Sequence, residues 1–188
     1  MIKDIFKIGV YGVDLDLDVK SIEQYIEDYS QQHASVSHSN YGGWQSNVLE
    51  GSHLPLNNLF KEIQTHTNLY KEQLGISHLN TNGIYPWMNI NHYRDYNTHH
   101  FHPDAIISGV FYVKTPKDCG DIHFVNPMQH RILMSFGEQT NFTDYNSAEY
   151  FMPAVANRLI LFPGWLDHHV KPNMNQTESR ISISFNCN

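Results

Sequence analysis

The residues with the clearest chemical potential in this sequence are its histidines. There are thirteen, and several cluster, at His92, His99, His100 and His102, and again at His168 and His169. His100, His102 and Asp104 stand at i, i+2 and i+4, just ahead of an apolar run that begins near Ile106. Alternate residues of an extended segment point to one face, so two of these three can grip one metal ion together. Imidazole with carboxylate suits Fe(II), Zn or Mn, and one further ligand from a remote segment completes a facial set with open positions. That remote ligand is His168 or His169, in Phe162-Pro163-Gly164-Trp165-Leu166-Asp167-His168-His169-Val170. A lone histidine more often sits on the surface or in a satisfied core. What favours the metal reading is a second His run placed after a Phe-Pro turn and before an Arg-bearing terminal strand.

Twelve residues beyond His168 comes Arg180, in Arg180-Ile181-Ser182-Ile183-Ser184-Phe185-Asn186. Arg180, Ser182 and Ser184 share one face of this strand, while Ile181, Ile183 and Phe185 share the other. An arginine aimed into a barrel is costly unless an anion meets it. A carboxylate accepting the planar guanidinium fork meets that need, and the serine hydroxyls can add hydrogen bonds. The plainer alternative is a strand with a solvent-facing Arg/Ser side. Asn89, Asn91 and Tyr93 alternate on one face of the strand before the His pair, and Tyr112 lies in the strand after it. These are pocket-lining candidates or ordinary polar core groups.

The elements that must position these side chains fall into two parts. Asp18 is placed to cap a helix carrying Val19, Ile22, Tyr25, Ile26 and Tyr29 on one face. Pro55 opens a second helical stretch with a stripe from Leu56 to Leu74, ended by Gly75. Ile5 to Val13 alternates loosely and reads as a strand, and Gly42-Gly43 marks a turn. Beyond about residue 84 the pattern changes to short β-type runs: 87–93, 106–113, 122–125, 158–162, 168–170 and 180–185. Turn signals such as Pro116, Gly120-Asp121, Asn126-Pro127, Pro163-Gly164 and Pro172-Asn173 separate them. The expected fold is α+β, mainly β: a jelly-roll core with two or more N-terminal helices packed outside. A chain of 188 residues reads as one domain, 1–188, with residues 1–83 supporting a jelly-roll core at 84–188.

The net charge of −7 argues against a nucleic-acid binder held by a basic patch, but leaves room for one local basic pocket. The two cysteines, Cys119 and Cys187, form no zinc spacing and read as unpaired thiols. No signal-peptide pattern or membrane-length apolar segment is visible, so a cytoplasmic location is expected.

Taken together, His100-Phe101-His102-Pro103, Ser108-Gly109-Val110-Phe111-Tyr112-Val113, Leu161-Phe162-Pro163-Gly164-Trp165-Leu166-Asp167-His168 and Arg180 to Asn186 carry a family resemblance. This set resembles the 2-oxoglutarate–Fe(II) oxygenases found widely in marine phages and bacteria. It covers residues 84 to 188 well. The earlier part is similar only in outline, through Gly43-Trp44-Gln45-Ser46. The resemblance implies a cupin-like double-stranded β-helix holding Fe(II), with 2-oxoglutarate as cosubstrate. By position His168 matches the distal ligand and Arg180 the cosubstrate arginine, with Ser182, Asn91 and Tyr112 as neighbours. His169 then has no role. The family pattern places His-x-His-Pro at His100 to Pro103, which makes His100 and His102 the remaining ligands. The superfamily more often supplies His-x-Asp or His-x-Glu, and His102-Pro103-Asp104 reads directly as that alternative, with Asp104 replacing His100.

The implied activity is hydroxylation of an unidentified substrate by O2, coupled to oxidative decarboxylation of 2-oxoglutarate to succinate and CO2. Its partners are then the small-molecule cosubstrate and that substrate, with no membrane and no strong nucleic-acid signal, and a homodimer is compatible. If phage-encoded, the protein works in the host cytoplasm. Two other readings compete: a non-catalytic metal-binding jelly-roll structural or interaction protein, possibly phage-associated, and a three-His cupin-like metalloenzyme without 2-oxoglutarate. The last leaves Arg180 without a ligand. Succinate formation separates the first reading from both.

Overall fold

A computed structural model describes residues 2–137 and 140–188. Two antiparallel sheets lie at its centre. The eleven strands among the described residues are β1 (Tyr11–Asp14), β2 (Asn40–Tyr41), β3 (Trp44–Gln45), β4 (Ile84–Asn91), β5 (Tyr96–His100), β6 (Ile107–Lys114), β7 (Ile122–Val125), β8 (Glu149–Met152), β9 (Arg158–Pro163), β10 (His168–Val170) and β11 (Arg180–Cys187). A six-stranded sheet runs β1-β9-β6-β11-β4-β3, and a five-stranded sheet runs β2-β5-β10-β7-β8. The chain changes sheet at almost every turn, as in a double-stranded β-helix. The expected fold class is the one observed.

Helix α1 (Val19–Gln32) begins where Asp18 accepts hydrogen bonds from the Ser21 backbone N–H and hydroxyl. Helix α2 (Asn57–Leu74) follows a 3-10 turn at Leu54–Leu56 and ends at Gly75 in the left-handed conformation, φ 71°. Both helices bury one stripe against the six-stranded sheet. Ile22, Ile26, Leu59, Ile63 and Tyr70 join Met88, Ile90, Phe111, Leu159, Leu161, Ile181, Ile183 and Phe185 in one apolar cluster. Two segments differ from expectation. The N-terminal strand is only Tyr11–Asp14, set by its four pairings with β9. A third helix, α3 (Gln129–Phe136), lies in the excursion between β7 and β8, and none of its residues is buried.

Strand alternation divides the six-stranded sheet in a way that decides where chemistry can occur. The aliphatic face goes to the helices. The opposite face, with Asn89, Tyr112, Arg180 and Ser182, is also buried, because it looks across to the five-stranded sheet. A smaller apolar cluster, including Val110, Phe124, Ile160 and Phe162, closes one part of this inter-sheet space. The Arg/Ser side of β11 is therefore interior and not solvent-facing. Arg180 is 1% exposed and Ser182 5%.

The centre of the six-stranded sheet has no room to spare. Gly109 in β6 pairs with Leu161 on one side and Phe185 on the other. A Cβ there would strike the Phe185 ring and come within 2.8 Å of the Ile160 carbonyl oxygen. We predict that Gly109→Ala lowers stability by about 1–3 kcal/mol. Denaturant melts should show a lower midpoint with an unchanged slope, and an unchanged midpoint would contradict this packing.

Candidate metal and cosubstrate site

Three segments bring three imidazoles together. His100 ends β5 and His168 begins β10, and the two are direct cross-strand partners. His102 lies two residues beyond β5, where its backbone N–H donates to the Gly164 carbonyl at 2.8 Å. Gly164 in turn donates to Ile106, and a Cβ at Gly164 would strike the backbone and side chain of Ala105. The Pro163-Gly164 turn is thus clasped against residues 102–106, which fixes His102 relative to His168. One ring nitrogen from each of His100, His102 and His168 lies within 4.8 Å of the other two.

Hydrogen bonds orient two of the rings. His100 Nδ1 is 2.7 Å from the Thr98 carbonyl and His168 Nδ1 is 2.8 Å from the Leu166 carbonyl. A carbonyl accepts only, so both Nδ1 atoms carry the proton and both Nε2 lone pairs are free. Asp104 lies outside this group: it is exposed, in the turn after His102. The consecutive His168 and His169 point to opposite faces of the five-stranded sheet, His168 inward and His169 outward. His99 also lies outside, near Asp167.

Arg180 reaches the same cavity from β11. Its Nη1 donates to the carbonyls of Cys119, Gly120 and Lys171, the last two at 3.1 Å. Gly120 has φ 84°, and a Cβ there would collide with the Lys171 and Pro172 carbonyls, so only glycine lets this cradle close. Fully buried Asn173 holds the return loop by donating to the carbonyls of Asn91 and Glu178. Arg180 Nη2, the Tyr112 hydroxyl and Asn89 Oδ1 are buried with no hydrogen-bond partner among the described residues. Burial keeps the Tyr112 phenol protonated by raising its pKa.

The cavity is lined by Asn89, His100, His102, Tyr112, His168 and Arg180, and also by Trp87, Ser182 and Ser184. Asn91 is not among its lining residues. Asn89, two residues earlier on the same face, takes that place. A wider groove opens from the His100–His102 side, bordered by Ser39, Gln45, Val48, Trp87 and Phe101. Gln45 is 4% exposed, and its Oε1 has no partner among the described residues. Sequence reasoning missed Gln45 as a site residue. Its only signal was the short Gly43-Trp44-Gln45-Ser46 likeness, which gives no orientation.

Burial also sets the protonation of the imidazoles. It lowers the pKa of His100 and His168 and pushes His102 down from 6.5 to about 4. All three are neutral near pH 7, the state in which imidazole binds metal. In the unfolded chain His102 takes up its proton near pH 6.5, whereas in the fold it does so only near 4. The unfolded state therefore binds more protons in that window, and stability falls as pH drops through it. Denaturation midpoints of metal-free protein should decline between pH 6.5 and about 4, and His102→Gln should flatten the decline. Parallel curves for the two proteins would exclude His102 as a source.

Comparison with known proteins accords with this geometry. Residues 85–186 match the family model described as "Putative 2OG-Fe(II) oxygenase". Among solved structures, a prolyl-4-hydroxylase from Pseudomonas putida is similar with a TM-score of 0.69 at 14% identity, over 96% of this chain and 92% of that one. A prolyl hydroxylase from Trichoplax adhaerens, in complex with a hypoxia inducible factor peptide fragment, gives 0.67 at 14% identity over 95% and 83%. HygX from Streptomyces hygroscopicus, with nickel and 2-oxoglutarate bound, gives 0.59 at 10% identity over 95% and 82%. At these identities the likeness is one of fold. No curated protein matches the sequence. The family match covers over half of the chain and includes His100, His102, Tyr112, His168 and Arg180, so the chain belongs to the Fe(II)- and 2-oxoglutarate-dependent oxygenases, enzymes whose cofactors are iron(II) and 2-oxoglutarate.

Proposed function

We propose that His100, His102 and His168 hold the iron and that Arg180 and Tyr112 hold the distal carboxylate of 2-oxoglutarate, in a hydroxylase acting on a substrate bound in the groove beside His102. The observation that carries this reading is the pairing of two unmet demands in one cavity. Free imidazole nitrogens converge at one end, and Arg180 Nη2 and the Tyr112 hydroxyl lack partners at the other. The donor set fits a divalent transition metal, since imidazole suits iron and all three rings are neutral.

When bound, iron and 2-oxoglutarate would supply the chemistry, with O2 as the oxidant: one oxygen atom would go to succinate as CO2 is released, and the other to the substrate as a hydroxyl group. The chain's own residues do the positioning. The Cys119–Gly120–Lys171 carbonyls hold Nη1 of Arg180, which lines the cavity, and Nη2 keeps no partner among the described residues. A carboxylate there accepts from Arg180 Nη2 and from the Tyr112 hydroxyl, which satisfies both donors. Ser182 and Asn89 flank that position. Trp87 packs beside His102, with ring centroids 5.8 Å apart, and forms a wall shared by the cavity and the groove. Among the described residues, the groove is bordered by neutral and aromatic side chains together with His38, His100 and His102, and by no carboxylate, lysine or arginine. We take the substrate to be a neutral group.

We further propose that residues 1–188 work as one domain, with the helices of 1–83 backing the core, and that the protein is a phage-type member of the family acting in the cytoplasm as a monomer or homodimer. The sequence likeness to marine phage and bacterial proteins and the two free cysteines support this.

Iron analysis tests the ligand set. His168→Ala and His100→Ala should lose iron, whereas Asp104→Ala and His169→Ala should retain it. Iron retained by His100→Ala but lost by Asp104→Ala would instead make the pair His102 and Asp104.

Anaerobic titration of the iron-loaded protein, followed by the charge-transfer absorption of the chelate, tests the cosubstrate residues. Arg180→Ala should weaken 2-oxoglutarate binding by roughly ten- to a hundredfold, since a charge-assisted bond contributes about 1.5–3 kcal/mol. Iron content should be nearly unchanged. Arg180→Lys should recover only part, because an ammonium lacks the planar fork. Equal affinity in wild type and Arg180→Ala would end this assignment.

A further inference from the structure

The outer face of the five-stranded sheet carries a second cluster of ligating side chains. His123 on β7 and His169 on β10 are direct cross-strand partners, and Glu149 on the edge strand β8 lies diagonally beside them. One ligand atom from each lies within 4.8 Å of the other two. His123 Nδ1 is 3.1 Å from Glu149 Oε2, and His169 Nε2 is 3.9 Å from the same oxygen. We propose that His123, His169 and Glu149 form a second divalent-metal site, of zinc type, separate from the inner His100–His102–His168 cluster.

The chemistry of the donors favours zinc. Two imidazoles and one carboxylate with an open fourth position form a known zinc ligand set. Tetrahedral ligands at bonds of about 2.0–2.1 Å stand roughly 3.4 Å apart. The two measured separations bracket that value, so small side-chain rotations close the site. The neighbours limit other arrangements. The His123 ring lies between Phe151, with centroids 5.6 Å apart, and His169, at 5.2 Å, near parallel to both. A simple His–Glu ion pair uses one imidazole; here a second is held in register against the same carboxylate.

One group opposes the metal. Lys171 Nζ lies 4.0 Å from Glu149 Oε2, and its side chain is 47% exposed. In the metal-free protein it partly neutralises the carboxylate, and a cation in the site would drive it outward into solvent. Removing its charge should therefore tighten metal binding. The site also has a mechanical consequence. It ties β8, which closes the excursion after β7, to β10, which carries His168 on its inner face.

The experiment is zinc titration of metal-depleted protein in competition with a chromophoric chelator, with bound zinc counted by elemental analysis. Wild type should bind two equivalents. His123→Ala and Glu149→Gln should each bind one, with the outer site weakened about tenfold or more. His168→Ala should also bind one, now at the outer site, so failure of the inner-site reading is distinguishable from failure of this one. Lys171→Met should bind two, the outer one several-fold tighter. His123→Ala and Glu149→Gln should leave the iron–2-oxoglutarate absorption unchanged, which also shows that they are folded. Zinc at about a hundredfold over the outer dissociation constant should raise the melting temperature of His168→Ala by about 5–10 °C. A single equivalent in wild type that is lost in His168→Ala, or two in His123→Ala, would overturn the second site.

Discussion

The interaction on which the rest of the site depends is the burial of the Arg180 guanidinium. A cation with 1% exposure in the middle of a protein is costly to desolvate, and burial lowers its pKa. The fold meets half of that cost itself. Three backbone carbonyls converge on one nitrogen, and their convergence requires a left-handed glycine at position 120 with no side chain. The second terminal nitrogen, Nη2, lacks a partner among the described residues. A group that is half satisfied by rigid backbone and half unsatisfied is prepared for an anion, because the protein has already ordered it and the ligand supplies the missing acceptor.

This arrangement follows from how the six-stranded sheet partitions its two faces. In β11 the isoleucines and Phe185 go to the helices, and Arg180, Ser182 and Ser184 go to the space between the sheets. The core that stabilises the fold is thus largely separate from the surface that lines the cavity. Helices α1 and α2 pack on one side of the sheet while the cavity lies on the other. The division explains how so polar an inner face is tolerated: the aliphatic cluster outside it carries much of the burial, and the inner face needs only enough apolar contact, around Phe124 and Phe162, to close one end.

Much of this was legible in the sequence, and what was not has a physical reason. The cap at Asp18, the stop at Gly75 and the alternation of β11 depend on local chemistry, so they can be read from neighbours along the chain. The inward direction of the Arg180 face depends on a second sheet, and alternation alone left it open. The length of β1 was overestimated because its ends are set by pairing with β9. Helix α3 spans only Gln129–Phe136 and buries none of its residues, so no core stripe marks it along the chain. Asn89 and Asn91 share a strand face, and only the cavity's position along the strand distinguishes them. The adjacent His168 and His169 looked redundant. Strand geometry makes them serve opposite faces, and the meeting of His169 with His123 and Glu149 depends on the register of three strands that are remote in sequence.

Charge accounts for the consequences of a three-imidazole set. With a carboxylate ligand, the iron(II) charge of two, one carboxylate, the 2-oxoglutarate dianion and the Arg180 cation sum to zero. With three neutral histidines the same inventory carries one positive charge more. Asp121 and Asp95 are the acidic groups whose charges act on Arg180, and neither is among the cavity-lining residues. The surplus therefore acts mainly on whatever occupies the cavity. It favours a dianionic cosubstrate over a monoanion and weakens the hold on the bare metal ion, because imidazoles bring no negative charge to offset it. In such a site metal and cosubstrate binding would reinforce one another, the dianion supplying the negative charge that three imidazoles lack and the metal a positive charge for the dianion.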